Sequence, residues 1–112
     1  MSLDACLARH FAHAALRLRL DEELGNWHGL SWNDYVLLDA LAADGKWALK
    51  PLAARLGLRP SELLLQLLPL EKTGLVAREE GPGGTRRVVL QAGGRRLVRE
   101  ARSTAEAACA AG

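Results

Sequence analysis

The sequence predicts a mainly α-helical fold carrying one small β-hairpin, and three observations predict it. Leu and Ala dominate an apolar fraction of 49%, while only 4% of the chain is aromatic. Such a composition favours helix packed on helix. Residues Leu49 to Leu75 read LKPLAARLGLRPSELLLQLLPLEKTGL, two short apolar stripes at helical spacing separated by Gly57 and a tight connection. That is a helix-turn-helix. β-branched residues then cluster in 76–89 around Gly81-Pro82-Gly83-Gly84, a dense turn signal between two strand-like runs. A hairpin placed directly after a helix-turn-helix makes a winged helix-turn-helix.

Each element follows from local chemistry. Residues 4–24 contain strong helix formers and no breaker. Leu7, Phe11, Ala14, Ala15 and Leu18 keep helical spacing, and Gly25-Asn26 ends the helix. A loop spans 26–31. Ser31 is a good N-cap with Asp34 three residues on, much like a capping box. Tyr35, Leu37, Leu38 and Leu41 then mark a second helix that ends before Asp44-Gly45. Trp47-Ala48-Leu49 is a short extended piece that pairs with the wing as a third strand. Pro51 opens the third helix, since a first turn needs no intrahelical N–H. Leu52, Ala53 and Leu56 form its stripe, and Gly57 can take the left-handed cap. Pro60 and Ser61 open the fourth helix. Leu63, Leu67 and Leu70 share one of its faces, Pro69 predicts a kink, and Gly74 closes it. Leu75 to Glu80 and Arg86 to Leu90 are the wing strands. Gly83-Gly84 and Gly93-Gly94 read as turns, and a last helix runs from Arg95 to about Ala108. At 112 residues the chain reads as one domain, 1–112, with a winged-helix core over 31–91 and a C-terminal helix within 93–108.

Leu52-Ala53-Ala54-Arg55-Leu56-Gly57-Leu58, Leu70-Glu71-Lys72-Thr73-Gly74-Leu75-Val76 and Gly94-Arg95-Arg96-Leu97 occur in this order and spacing. Together they resemble the MarR family of bacterial transcription regulators over roughly residues 30 to 102. The resemblance implies a regulator that binds double-stranded DNA as a homodimer. Asp4, His10 and Arg17 interrupt the apolar stretch that a signal peptide would need, so the cytoplasm is the expected compartment. The resemblance also implies that the 4–24 helix joins the dimer interface. MarR-like chains usually continue with another long helix that completes the dimer; this sequence stops at AACAAG, short of it.

Charge and motifs narrow the functional classes. The net charge is +2, but residues 1–74 carry 8 basic and 9 acidic side chains while 75–112 carry 7 Arg and 4 acidic ones. The asymmetry favours a local anionic contact over a uniformly basic protein. There is no nucleophile elbow, Walker loop or GxGxxG after a strand, so no enzyme and no cofactor are expected. No run of about 18 apolar residues occurs, so no membrane span is expected.

A helix that enters the major groove needs side chains that reach base edges. Arg59, Ser61 and Gln66 are the candidate readers; Glu62 repels phosphate but could accept from a cytosine amino group. Lys50 and Ser61 lie near helix N-termini, where backbone N–H groups favour a phosphate or simply need capping. On the wing, Thr85, Arg86 and Arg87 follow the flexible tip, and an Arg there suits phosphate or the minor groove. Thr85 stands where MarR-like wings carry an Asp that positions the Arg. Leu64, Leu65 and Leu68 are apolar where such regulators place polar residues. This leaves a second reading, a winged-helix scaffold used for protein–protein contact with little or no DNA binding.

Trp27, His28, Trp32 and Tyr35 cluster in sequence and suit either a pocket for a small aromatic effector, as the resemblance implies, or the core. Cys6, His10 and His13 share a helix face and are zinc-type ligands without an evident fourth; solvated side chains are the commoner outcome, and no metal is expected. Cys6 could be a redox thiol near Arg9 or an inert buried Cys.

Overall fold

The computed structural model describes residues 1–111. The elements run α1 (Leu3–His28), α2 (Trp32–Asp44), β1 (Lys46–Ala48), α3 (Leu49–Leu56), α4 (Pro60–Lys72), β2 (Val76–Glu80), a 3-10 turn (Pro82–Gly84), β3 (Arg86–Leu90) and α5 (Ala92–Ala110). The chain divides into two compact units, residues 1–32 with 100–112, and residues 33–99.

The first unit pairs the second half of α1 with the end of α5. Ser2 caps α1, its Oγ accepting from the Ala5 backbone N–H at 3.1 Å. The helix then runs through Gly25-Asn26, where the sequence predicts its end. The stop lies instead at Gly29, in the left-handed region at φ 67°. Gly29 N donates to Gly25 O and Leu30 N to Leu24 O, the doubled closure that Gly favours just past a helix. Leu24 and Leu30 are both buried. Their burial and the two closing bonds outweigh the roughly 1 kcal/mol that Gly costs inside a helix. Leu20 and Leu24 of α1 and Ala101, Ala105 and Ala108 of α5 are buried. Arg19 Nε donates to Ala108 O at 3.1 Å, a cation on the negative end of α5. Residues 1–15 are exposed throughout.

The second unit is the winged helix. Its core is Tyr35, Leu37, Leu38, Leu41, Leu52, Ala53, Leu63, Leu67, Leu70, Val76, Val88, Leu90 and Val98. Leu63, Leu67 and Leu70 are the face of α4 that the spacing predicts. The helix continues through Pro69, and Thr73 closes its C-terminus by donating to Pro69 O from both its N and Oγ1. The sheet order is β1-β3-β2, all antiparallel. Strand β1 covers 46–48, one residue earlier than expected, and pairs with β3 as predicted. Alternation along β3 sends Val88 and Leu90 into the core.

Gly93 and Gly94 are helical rather than a turn. A Cβ on Gly94 would overlap the Leu75 carbonyl oxygen and lie 2.6 Å from Leu90 Cδ1. Only Gly lets α5 start this close to the wing, so close approach, not turn chemistry, is why Gly stands there.

Candidate nucleic-acid interface

Helix α4 presents two opposite faces. Opposite the buried leucines, Ser61, Leu65, Leu68 and Lys72 fall at i, i+4, i+7 and i+11, one stripe on a 3.6-residue helix, and all four are exposed. Leu65 is 69% and Leu68 43% exposed. Leu64 is half-buried. Lys72 was not singled out from the sequence; extending the Ser61 stripe by one more turn would have found it.

The polar candidates divide into free and committed groups. Ser61 and Lys50 are exposed. Arg59 is also exposed, and its backbone N–H donates to Glu62 Oε1 at 2.9 Å. The carboxylate therefore closes the N-terminus of α4, as a residue at that position commonly does. Gln66 is half-buried, and its Nε2 donates to Asp34 Oδ1 of α2 at 3.1 Å. This bond joins α4 to α2 and turns the amide away from the exposed stripe, since Gln66 lies about 140° around the helix from Ser61.

The wing holds its two arginines differently. Arg86 and Arg87 lie opposite Glu80 and Glu79 on β2, and neighbouring residues on a strand point to opposite sides. Arg86 is exposed and Arg87 half-buried. Arg87 lies against the Gly81 backbone, where a Cβ would come within 2.6 Å of Nε. Thr85 Oγ1 donates to Pro82 O at 2.7 Å and tightens the tip. Two ion pairs stiffen the base of the wing. Lys46 Nζ and Glu79 Oε1 are 2.9 Å apart. Arg78 Nε and Glu71 Oε1 are 2.8 Å apart and half-buried, an ion pair short of an aligned hydrogen bond.

The aromatic candidates are divided between the units, with Trp27, His28 and Trp32 in the first and Tyr35 in the second. Trp27 is 74% exposed and lines a groove of about 460 Å³ in the first unit with Arg19, Glu23 and Thr104. His28 Nε2 is hydrogen-bonded to Thr104 Oγ1 at 2.8 Å. Trp32 N donates to Asp21 Oδ1 at 2.6 Å, and Tyr35 is buried in the second unit. Cys6, His10 and His13 are exposed on α1. Among the described residues no three or more His, Cys, Asp or Glu gather where a metal ion could be held, and no helix is long and apolar enough to cross a membrane.

No family model matches the sequence, and a search of curated proteins finds no match. Solved structures do match. A MarR family regulator of Streptomyces coelicolor in complex with DNA aligns with TM-score 0.83 at 25% identity, covering 97% of this chain and 75% of that one. A MarR family protein of Mycobacterium tuberculosis in complex with salicylic acid aligns with TM-score 0.74 at 28% identity, covering 98% and 81%. A MarR family regulator of a Rhodococcus species aligns with TM-score 0.79 at 25% identity, covering 96% and 79%. The chain has the MarR-type winged-helix fold.

Proposed function

We propose that this MarR-type winged-helix chain is a regulator of transcription, not an enzyme, and that it binds duplex DNA as a homodimer. The observation that carries the reading is the exposed stripe of α4 opposite its buried leucines, beside a wing whose Arg86 is free to meet phosphate. A regulator of the same fold is held on DNA in its own structure. In this reading Ser61 and Lys72 approach the major groove from α4, with Arg59 and Lys50 beside it. Arg86 contacts the flanking backbone, and Arg87 supports the wing from its place against Gly81. Residues 1–112 act as one winged-helix domain.

The dimer reading draws on α1. Leu3, Leu7, Phe11 and Leu18 are exposed large apolar residues along a helix that is exposed throughout residues 1–15. A row of this kind more often marks a contact than a free surface. A two-fold pair would read a pseudo-palindrome. For the effector, a small aromatic acid would find a cation and an indole, Arg19 and Trp27, in one groove of suitable volume.

The test is binding to duplexes selected by the protein from a random pool, titrated with salt. Affinity must fall with salt, because phosphate neutralisation releases counterions. Absence of binding, or binding indifferent to salt, overturns the DNA reading. A second reading has its own observation, the exposure of Leu65 and Leu68 beside half-buried Leu64: the scaffold would then serve protein–protein contact. That reading wins where Leu65→Glu breaks an assembly and Arg86→Ala leaves DNA affinity unchanged.

A further inference from the structure

We infer that α4 reads thymine methyl groups, with Leu65 as the specificity-determining residue; the inference rests on the DNA-binding reading above. The stripe that α4 presents is Ser61, Leu65, Leu68 and Lys72, so its middle is apolar. Two polar side chains of α4 that could replace it as readers are already used. The Gln66 amide bonds Asp34, and the Glu62 carboxylate bonds the Arg59 N–H. Ser61 is left as the one short hydrogen-bonding side chain on the stripe.

An exposed leucine facing the major groove discriminates in one direction. Most of what base pairs display there is a donor or acceptor, and the thymine C5-methyl is the apolar exception. Leucine set against a guanine, a cytosine or the adenine edge strips water from polar groups and returns no hydrogen bond. Set against a methyl, it buries apolar surface from both sides. Ser61 tolerates several bases, so discrimination falls to Leu65.

The same surface is a poor protein-docking site. A stable interface takes about 800 Å² from each partner. Two partly exposed leucines bounded by Ser61 and Lys72 supply a small part of that, with a cation at one end that suits a phosphate backbone.

Uracil tests this directly, because it keeps every hydrogen-bonding group of thymine and lacks the methyl. Duplexes selected by the wild-type protein are remade with uracil for thymine, one position at a time, and binding is followed by fluorescence anisotropy. At one or two positions per half-site uracil weakens binding about fourfold, the worth of one buried methyl-sized group. Leu65→Gln, which keeps the helix content by circular dichroism because the residue is exposed, removes the difference at those positions. Equal binding of uracil and thymine duplexes at every position overturns the methyl reading and leaves DNA binding standing. No binding to any duplex overturns both. Loss of self-association in Leu65→Gln with unchanged uracil discrimination assigns the leucine to a protein contact and overturns the inference.

Discussion

Arg86→Ala gives the sharpest measure of how the wing is used. Arg86 is exposed at the start of β3, forms no ion pair among the described residues, and lies beyond the part of the strand that enters the core. Its removal therefore leaves the fold alone. Each phosphate that a side chain neutralises contributes about 0.9 to the slope of log affinity against log salt. Between 50 and 200 mM salt that is a factor of about 3.5 per contact, and about 12 for the two wings of a symmetric dimer. Wild type and Arg86→Ala are compared on one selected duplex across that salt range. The variant should bind more weakly at low salt and show a slope shallower by about 1.8, so that the two curves converge as salt rises. Arg86→Lys should restore most of the slope, since a phosphate asks for charge more than for a planar fork. Parallel curves for Arg86→Ala and wild type would refute the phosphate role, whatever the change in affinity at one salt concentration.

Three further outcomes follow from the geometry. Gly94→Ala should destabilise the fold by roughly 1–3 kcal/mol in urea unfolding, because the new methyl meets the Leu75 carbonyl and Leu90 and overpacking of this kind costs about that much; an unchanged midpoint would show that α5 can move aside. Phe11→Glu, at a residue 65% exposed, should shift the protein toward monomer on the order of a hundredfold in dissociation constant without loss of helix, read by size-exclusion chromatography with light scattering; a wild type that is already monomeric at tens of micromolar ends the dimer reading. Gln66→Ala should lower stability by about 1 kcal/mol through the lost bond to Asp34 and leave base preference as it was; a changed preference at one position would make Gln66 a reader after all.

The helices and the wing were legible because their signals are local. Leucine spacing gives the buried face of α4, Gly57 the end of α3, and the Gly-Pro-Gly-Gly run the tip of the hairpin. The misplacements share a physical cause. Gly25 lies inside α1 because a stronger cap stands four residues later and Leu24 and Leu30 are both buried. Gly94 stands inside α5, not in a turn, because Leu75, nineteen residues before it, leaves no room for a side chain. Propensity sees neither of these partners. The candidate site was half legible for the same reason. Exposure of Ser61, Arg59 and Arg86 follows from helix and strand periodicity. The capture of Gln66 by Asp34, 32 residues away, and the seat of Arg87 against Gly81 depend on tertiary contacts that no spacing encodes.

Those captures change what α4 can do. Leu63, Leu67 and Leu70 spend one face of the helix on the core, Gln66 ties a second side to α2, and Glu62 closes the N-terminus. Little but the Ser61–Leu65–Leu68–Lys72 stripe is then free to differ without cost to the fold. Stability and recognition are thus carried by separate residues of one thirteen-residue helix. Substitutions on the stripe should move binding at constant unfolding midpoint, and substitutions on the leucine face should do the reverse. A helix that buried both faces against its own chain could not show this separation. Its appearance in paired Leu65→Gln and Leu67→Ala variants would mark α4 as the contact element, whichever macromolecule it meets.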